Sequence, residues 1–402
     1  MTPGARVSAA IDCLDKILAG APSEQVLTRW ARDSRFAGSK DRAAVRDHVF
    51  EALRAKRSFA ALGGALSGRG IMIGALRAHN VDPTTIFGAG GHAPSPLTAK
   101  ESASGRAPSA GAEAADMPDW LWPMFTEDHG ADAVCRARAL SERAPVFLRV
   151  NGAKTDLVTA QAALTEDGSK TKPHSAAPFA LEGVDGARKL RTSSAYQNGL
   201  VELQDAASQA VVAALPLSSD MRILDYCAGG GGKTLALAGS TPGLSLVASD
   251  VSEKRLRALI PRAERAGVSI KTLAQSLLTA QAPFDIVLCD APCSGSGSWR
   301  RDPDGKWALR AERLAELNEI QLSILESAAR LVAEEGLLAY ATCSVLEIEN
   351  TSVIERFQAR NPDWVCQFSR NWDVLDGIDG FFTAHLTRRH SGFYTTLTRN
   401  VL

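Results

Sequence analysis

The second half of the chain alternates short apolar segments with helical ones, and this alternation constrains the fold more than any other feature. From residue 203 the order is "AASQAVVAAL", "RILDYC", "TLALAG", "LSLVASD", "KRLRALIPRAERAG", "FDIVLCD", a long helical segment and "GLLAYATCS". Apolar strands separated by helices predict a parallel, doubly wound sheet, an α/β fold. Ligands of such sheets bind at the carboxyl ends of the strands. Functional residues are therefore expected directly after each apolar segment.

The remainder of the chain divides by composition, and its 402 residues, 45% hydrophobic, suffice for two or three domains. Residues 1–87 carry apolar positions at helical spacing, which predicts a helical domain with further helices starting near Ser23 and Ser39. The apolar positions predicted to form the inner faces of its helices are Val7, Ile11, Leu14, Leu18, Val26, Leu27, Trp30, Val45, Val49 and Leu53. Residues 88–116 are rich in Gly, Ala, Ser and Pro and predict a flexible linker. Residues 117–191 contain the apolar run "VFLRV" and predict a small α+β subdomain. Residues 192–402 then form the doubly wound domain.

Charge balance and cysteine usage argue against several classes of protein. Lys and Arg total 45 and so do Asp and Glu, so the net charge does not indicate a nucleic-acid partner, although residues 1–87 alone carry 13 basic and 8 acidic residues. The seven cysteines include no CxxC pair, which argues against structural disulfides and a metal site. No apolar run approaches the roughly 18 residues of a membrane span. We expect a soluble, cytoplasmic protein with reduced thiols and no membrane contact.

A glycine-rich loop, "ILDYCAGGGGKTLALA", follows the first apolar strand. A phosphate-binding P-loop requires GxxxxGK[ST], but Cys227 stands where its first glycine is needed, and the spacing also departs from GxGxxG. What remains is a glycine turn that exposes backbone amides to a ligand, or a tight turn that serves packing alone. The next strand ends at Asp250, 25 positions after Asp225, where a carboxylate can accept both hydroxyls of a ribose. This combination indicates a nucleoside cofactor, S-adenosylmethionine.

Two further strands end close to cysteines. The run "FDIVLCD" ends at Asp290, with Cys293 three residues later, and "LLAYAT" is followed by Cys343. Cys289 lies inside its apolar run and is interpreted as a buried packing residue. Cys293 and Cys343 instead follow strands among small or hydroxyl residues, a setting that suits a reactive thiolate.

These segments resemble a known family. "DYCAGGGGKT", "DAPCSGSG" with "RRDPDGKW", "TCSVLEIEN" and "DGFFTAHL" are similar to successive motifs of the RNA cytosine-5 methyltransferases, in the RsmB/Sun (Fmu) branch. The N-terminal "SKDRAAVRDHVFEALRAKRSFAAL" resembles the NusB-like RNA-binding domain of that branch. The resemblance covers nearly the whole chain apart from the linker. It implies a Rossmann-like S-adenosylmethionine-dependent methyltransferase domain, with an all-α NusB-like domain before it and the small α+β subdomain between them.

The resemblance also implies roles for individual residues. A thiolate that adds to carbon 6 of cytosine converts the ring into an enamine that can take a methyl group at carbon 5. Spacing alone does not decide which cysteine attacks; the family assigns attack to Cys343 and release to Cys293. Asp290 is expected to bind N3 and the exocyclic amine of the base, and Lys233 to join the cofactor shell. The predicted cofactor contacts are Cys227, Ala228, Gly229, Gly230, Gly231, Gly232, Lys233, Asp250, Gln275 and Asp290.

The chain departs from the family pattern at three places. The usual Ala-Pro-Gly-Gly-Lys reads as four glycines and Lys233, so the loop lacks the rigidity of a proline. The acid expected to meet the adenine amine is absent from "TLAQSLL", where Gln275 or Ser276 is predicted to replace it. Glu347 stands where proline is usual.

Methylation of cytosine carbon 5 in RNA is the function that these features favour, with small-subunit (16S) rRNA as substrate, naked or within a pre-ribosomal particle. Transfer RNA is the nearest alternative, and a non-catalytic RNA-binding or ribosome-assembly factor is the rival from another class. A monomer is expected. The basic residues predicted to contact RNA phosphates are Arg54, Lys56, Arg57, Arg300, Arg301 and Lys306.

Overall fold

The structure, a computed structural model, describes residues 1–390 and Phe393 and divides into two compact units. The first unit comprises Met1–Arg143 and Trp299–Ala311, and the second comprises Ala144–Ser298 and the chain from Glu312 onward. The helices, in chain order, are α1 (Pro3–Leu18), α2 (Ser23–Asp33), α3 (Ser39–Arg54), α4 (Lys56–Gly63), α5 (Gly68–Ala78), α6 (Ala99–Ala103), α7 (Trp122–His129), α8 (Ala133–Ser141), α9 (Leu157–Glu166), α10 (Ser194–Gln197), α11 (Ala206–Ala213), α12 (Gly232–Ser240), α13 (Glu253–Arg257), α14 (Leu259–Ala266), α15 (Pro303–Ala308), α16 (Ala311–Ala329) and α17 (Thr351–Arg360). The strands are β1 (Phe147–Val150), β2 (Lys170–Pro173), β3 (Ala180–Asp185), β4 (Val201–Leu203), β5 (Arg222–Asp225), β6 (Ser245–Ala248), β7 (Lys271–Thr272), β8 (Phe284–Asp290), β9 (Val332–Thr342), β10 (Trp364–Trp372) and β11 (Phe381–Arg388).

The first unit is helical, and its core consists of the apolar faces of α1 to α5. Helices α2 and α3 begin at Ser23 and Ser39, as the sequence pattern predicts. No single helix among the described residues is long and apolar enough to cross a membrane; α4 and α5 meet that criterion only together, with an 89° bend between them. The predicted face residues that are buried in this core are Val7, Leu14, Val26, Leu27, Val45, Val49 and Leu53.

Residues 88–116 do not form the flexible linker that the sequence predicts, because the helices of the first unit bind their backbone. Arg69 donates through Nη2 to the carbonyls of Ser95 and Pro96, at 3.1 and 3.0 Å, and Arg77 donates to the carbonyls of Glu101 and Ser104, both at 2.7 Å. The segment also contains α6 with a capping box at its start. Composition missed this order because the segment buries few apolar side chains and is held instead by arginines from elsewhere in the chain.

The segment Trp299–Ala311 follows the Cys293 motif in sequence but belongs to the first unit. It meets the carboxyl end of α3: Trp307 donates through Nε1 to the Leu53 carbonyl at 2.6 Å, and Lys306 donates through Nζ to the Arg54 carbonyl at 3.2 Å. The last carbonyls of a helix lack intrahelical partners, and its C-terminal dipole favours cations. The segment therefore caps α3.

The prediction that Arg300 and Lys306 contact RNA is wrong, because both side chains are buried. Arg300 is 3% exposed and Lys306 is 1% exposed, and burial lowers the pKa of Lys306 to about 7. Lys56 stacks its ammonium over the Trp307 ring, 3.9 Å from the centroid. The sequence shows that these residues are basic, but it does not show that the carboxyl end of α3 binds Lys306. The phosphate contacts of the other basic residues stay predictions: Arg54, Lys56, Arg57 and Arg301.

The second unit begins with a small antiparallel sheet of strand order β2-β3-β1-β4. The division into compact units falls at residue 143, inside the predicted subdomain 117–191, and the boundaries of that subdomain stay a prediction. The residues from 117 to Arg143, including α7 and α8, lie in the first unit, and the sheet extends beyond residue 191 to β4. The three-residue strand β4 is too short for its periodicity to reveal it.

The main sheet of the second unit has strand order β10-β11-β9-β8-β5-β6-β7. Strands β9, β8, β5, β6 and β7 pair in parallel, whereas β11 and β10 are antiparallel at one edge. The predicted doubly wound, Rossmann-like sheet is confirmed. Strand β5 ends at Asp225 and β8 at Asp290, so the polar residues after the apolar runs lie at one edge of the sheet.

Candidate active site

A cleft of about 830 Å³ opens at the carboxyl ends of the parallel strands. Parallel strands bring the segments that follow them to the same edge, so residues far apart in sequence line one cavity. The predicted site residues that line it are Cys227, Ala228, Gly229, Gly230, Gly232, Lys233, Asp250, Gln275, Asp290, Cys293 and Cys343.

The glycine loop between β5 and α12 has two faces. Gly229 (φ 54°) lines the cleft, and a Cβ placed there would meet no atom within 4 Å. Gly231 (φ 82°) lies against α14, where a Cβ would overlap Leu259 Cδ1 and approach its Cγ to 2.9 Å. The Gly231 N–H donates to the Ala228 carbonyl at 2.8 Å. Gly231 therefore has a packing role on this side and its cofactor contact stays a prediction, while Gly229 has an open side.

Asp225, at the end of β5, holds the start of the glycine loop to α12. Thr234, in the first turn of α12, donates through Oγ1 to Asp225 Oδ2 at 2.7 Å, which ties the end of β5 to the start of the helix. Burial raises the pKa of Asp225 to about 7. The other carboxyl oxygen, Oδ1, is buried without a hydrogen-bond partner among the described residues. Asp225 therefore lies under the glycine loop as a buried acid.

Asp250 connects the ends of β5 and β6. Its Oδ2 accepts from the Gly229 N–H at 2.9 Å, and its Oδ1 accepts from the Ser252 N–H at 2.7 Å and from Arg255 at 3.0 Å. A carboxylate offers about four acceptor positions, so these three bonds leave room for one more donor. That capacity accommodates one ribose hydroxyl without loss of these bonds, and the predicted contact with both hydroxyls stays a prediction. The bond to Gly229 fixes the acid and the loop in one orientation.

Lys233 and Asp290 form an ion pair at 2.7 Å between Nζ and Oδ2. The lysine is buried and its ammonium also lies 4.9 Å from the centre of the Phe381 ring, whereas the aspartate side chain is 32% exposed to the cleft. Ion pairs in a partly buried site are screened less than surface pairs. Lys233 therefore contacts the predicted catalytic acid directly as well as lining the cavity.

The two predicted catalytic thiols lie next to each other. Cys293 Sγ and Cys343 Sγ are 3.4 Å apart, one on the loop after β8 and the other at the end of β9. The hydrogen bond to Cys343, together with burial, raises the pKa of Cys293. Cys293 therefore keeps its proton and can donate it to the sulfur of Cys343. Cys289 is fully buried, as expected for a packing residue.

Sequence reasoning missed two sets of residues here. The buried Glu349, in the "EIEN" segment, binds the residues that follow each catalytic cysteine, and only its place in that motif could have signalled it. The cleft wall contributed by α16 carries no motif, because residues on one face of a long helix differ little from ordinary packing positions. These α16 residues are Glu319, Ile320, Ser323, Ile324 and Ser327.

Comparison with known proteins agrees with this geometry. Residues 212–387 match the family model described as 16S rRNA methyltransferase RsmB/F, and residues 117–183 match the RsmF/B-like ferredoxin-like domain. The ribosomal RNA small subunit methyltransferase B of Citrobacter koseri is 32% identical over 286 residues, which cover 68% of this chain and 66%, just under two thirds, of that protein.

Solved structures share the fold. The crystal structure of PH0851 superposes with a TM-score of 0.73 at 22% identity and covers 96% of this chain and 99% of that one. A methyltransferase homologue from Pyrococcus horikoshii has a TM-score of 0.59 at 22% identity, with 68% of this chain and 96% of that chain covered. The sequence matches show that this chain carries the methyltransferase domain and the ferredoxin-like domain of the RsmB/F family.

Proposed function

We propose that the protein transfers a methyl group from S-adenosylmethionine to carbon 5 of a cytosine in small-subunit (16S) rRNA. The observation that carries this proposal is the pair of sulfurs, Cys293 and Cys343, 3.4 Å apart in the same cleft as the Lys233–Asp290 ion pair. Covalent addition to a pyrimidine needs a thiol nucleophile and a group that binds the ring. A protein that only binds RNA has no need for two thiols beside a carboxylate.

The cleft has features that fit the cofactor. Its volume of about 830 Å³ lies within the usual range of about 300–1,000 Å³ for ligand pockets. Gly229 leaves space beside the backbone, and Asp250 retains an acceptor for a ribose hydroxyl. Gln275 lines the same cleft, and we propose that its side-chain carbonyl takes the adenine amine in place of the missing acid. When bound, the cofactor supplies an electrophilic methyl group on a sulfonium.

The two thiols have different roles, attack by Cys343 and assistance of product release by Cys293. Cys343 forms a bond to carbon 6, and the ring electrons move to carbon 5, which then accepts the methyl group. Release requires that the carbon 5 proton passes to solvent water, so that its bonding electrons restore the ring double bond, and that the Cys343–carbon 6 bond breaks with its electrons returning to the Cys343 sulfur. Cys293, which keeps its proton beside Cys343, assists this release. The Asp290 carboxylate accepts from the exocyclic amine, and from N3 when that nitrogen carries a proton, and Lys233 holds the carboxylate in place at 2.7 Å.

The relatives' name supports rRNA as the substrate. We propose that residues 1–87, with 13 basic and 8 acidic residues, act as a NusB-like RNA-binding domain. The proposal further takes the protein to act as a monomer in the cytoplasm, on free rRNA or a partly assembled subunit.

Transfer of labelled methyl from S-adenosylmethionine to unmodified 16S rRNA tests the proposal. Wild type and the control Cys135→Ala, which changes an exposed cysteine outside the cleft, are expected to be active. Cys343→Ala is expected to be inactive, and Cys293→Ala to accumulate an RNA adduct that survives a denaturing gel. Transfer to tRNA and not to rRNA would reassign the substrate. Absence of cofactor binding in calorimetry would favour the non-catalytic factor.

A further inference from the structure

Glu349 lies buried between the two cysteine loops and binds the residue that follows each cysteine. We propose that Glu349 is a positioning residue that sets the separation of Cys293 and Cys343 and thereby controls the release step. The effect of Glu349 on release rests on the proposed function, but its effect on the distance between the two sulfurs can be measured without RNA.

Both carboxylate oxygens of Glu349 are used, and the side chain is 0% exposed. Oε1 accepts from the Ser294 N–H at 2.8 Å and from Gln321 Nε2 at 3.1 Å. Oε2 accepts from the Ser344 hydroxyl at 2.6 Å and from the Ser294 hydroxyl. Ser294 directly follows Cys293, and Ser344 directly follows Cys343. One carboxylate therefore joins the two loops that carry the thiols.

The chemistry of these donors requires a carboxylate. The Ser344 oxygen accepts from the Leu346 N–H at 3.1 Å and also lies 2.9 Å from the Ser296 hydroxyl. Because a carboxylate oxygen can only accept, the Ser344 hydroxyl is the donor in its 2.6 Å bond to Glu349 Oε2. A glutamine could still accept at Oε1 but would place an NH₂ group where two serine hydroxyls donate. A buried donor without an acceptor is unfavourable. Glu349→Gln thus keeps the shape and breaks the connection.

The two loops do not depend on Glu349 to the same degree. On the Cys343 side, Asn350 donates through Nδ2 to the Ser344 carbonyl at 3.0 Å and accepts from Thr342 Oγ1 at 2.6 Å. These bonds remain when the Glu349 side chain changes. Directly beside Cys293, Glu349 binds the N–H and the hydroxyl of Ser294, and Gln321 binds the Pro292 carbonyl at 3.0 Å. The two ends of this loop have bonds that do not involve Glu349, from the Ala291 N–H to the Ala341 carbonyl at 2.9 Å and from the Gly297 N–H to the Cys343 carbonyl at 3.0 Å. Loss of the carboxylate should therefore displace Cys293 more than Cys343.

This asymmetry predicts which step slows. Because Cys343 stays in place, Glu349→Gln should still form the covalent adduct, whereas the displaced Cys293 should assist its release poorly. Misplacement of a reacting group by about 1 Å can reduce a rate by about 100-fold. We expect kcat to fall by about 10- to 100-fold with accumulation of adduct, while the affinity for S-adenosylmethionine stays within about twofold, since Glu349 does not line the cleft.

The separation of the sulfurs is tested by oxidation of the RNA-free protein with hydrogen peroxide. The two thiols lose two electrons and two protons to the peroxide, which becomes two water molecules, and a disulfide forms. Mass spectrometry measures the Cys293–Cys343 peptide with time. Wild type and the control Glu355→Gln, an exposed glutamate on α17, should form it at equal rates, and Glu349→Gln at least about fivefold more slowly.

Ser294→Ala provides a second variant if Glu349→Gln does not fold, as judged by its unfolding transition. It removes one hydroxyl donor but leaves the Ser294 N–H bond, so an intermediate slowing is expected. Equal disulfide rates in the folded variants and the wild type would overturn the positioning role. Slower disulfide formation without any methyl transfer by wild type would support the positioning role and reject the proposed function instead, so the two failures are distinguishable.

Discussion

Two alanine substitutions in the glycine loop should separate its packing face from its ligand face. Gly229 and Gly231 both have left-handed backbones, where an alanine costs about 1–2 kcal/mol. The reduced entropy of the unfolded chain offsets about 0.4–1 kcal/mol of that cost. Only at Gly231 does the new methyl overlap a buried side chain, Leu259, which is 1% exposed. Overpacking of this kind adds about 1–3 kcal/mol.

Gly231→Ala should thus lower the free energy of unfolding by about 1–3 kcal/mol more than Gly229→Ala does. Urea denaturation followed by fluorescence measures this difference. Gly229→Ala should instead weaken S-adenosylmethionine binding by about tenfold or more in calorimetry, because its methyl enters open space in the cleft; tenfold corresponds to about 1.4 kcal/mol. Equal stabilities of the two variants, or wild-type cofactor affinity in Gly229→Ala, would refute the assignment of the two faces.

Three further predictions follow from the buried charges. Lys233→Met should reduce kcat for methyl transfer by about 100-fold or more, since it leaves Asp290 without its partner; an unchanged kcat would show that the ion pair plays no part in catalysis. Burial raises the pKa of Asp225 to about 7, so the native state binds more protons than the unfolded chain above pH ~4. The free energy of unfolding should therefore fall as pH rises towards 7. Urea titrations at several pH values should show that this fall is absent from Asp225→Asn. Burial lowers the pKa of Lys306 to about 7, so the unfolded chain binds the extra proton from there to pH ~10, and stability should rise with pH across that window. Lys306→Met should not show that rise in the same titrations, and an identical pH profile would contradict the burial of the ammonium.

The parts of the structure that were predictable from the sequence are those set by local patterns. Helices α2 and α3 begin at the predicted serines because apolar spacing acts over a few residues, although Pro22 and Gly38 and not the serines occupy the N-cap positions. The strand ends at Asp225 and Asp290 follow from apolar runs that stop at a charged residue. The flexible linker over 88–116 was wrong for the complementary reason, since composition cannot show that Arg69 and Arg77 bind its backbone.

Local patterns along the chain specify which residue types meet at the carboxyl edge of the parallel strands. Alternating strands and helices bring every strand end to one side, so Cys293, Cys343 and Asp290 had to share a region. Tertiary structure alone decided the 3.4 Å between the sulfurs, the burial of Lys306 and the position of Glu349 between the two loops. The physical reason is that periodicity and motif spacing act along the chain, whereas hydrogen-bond geometry and desolvation depend on neighbours brought together only by folding.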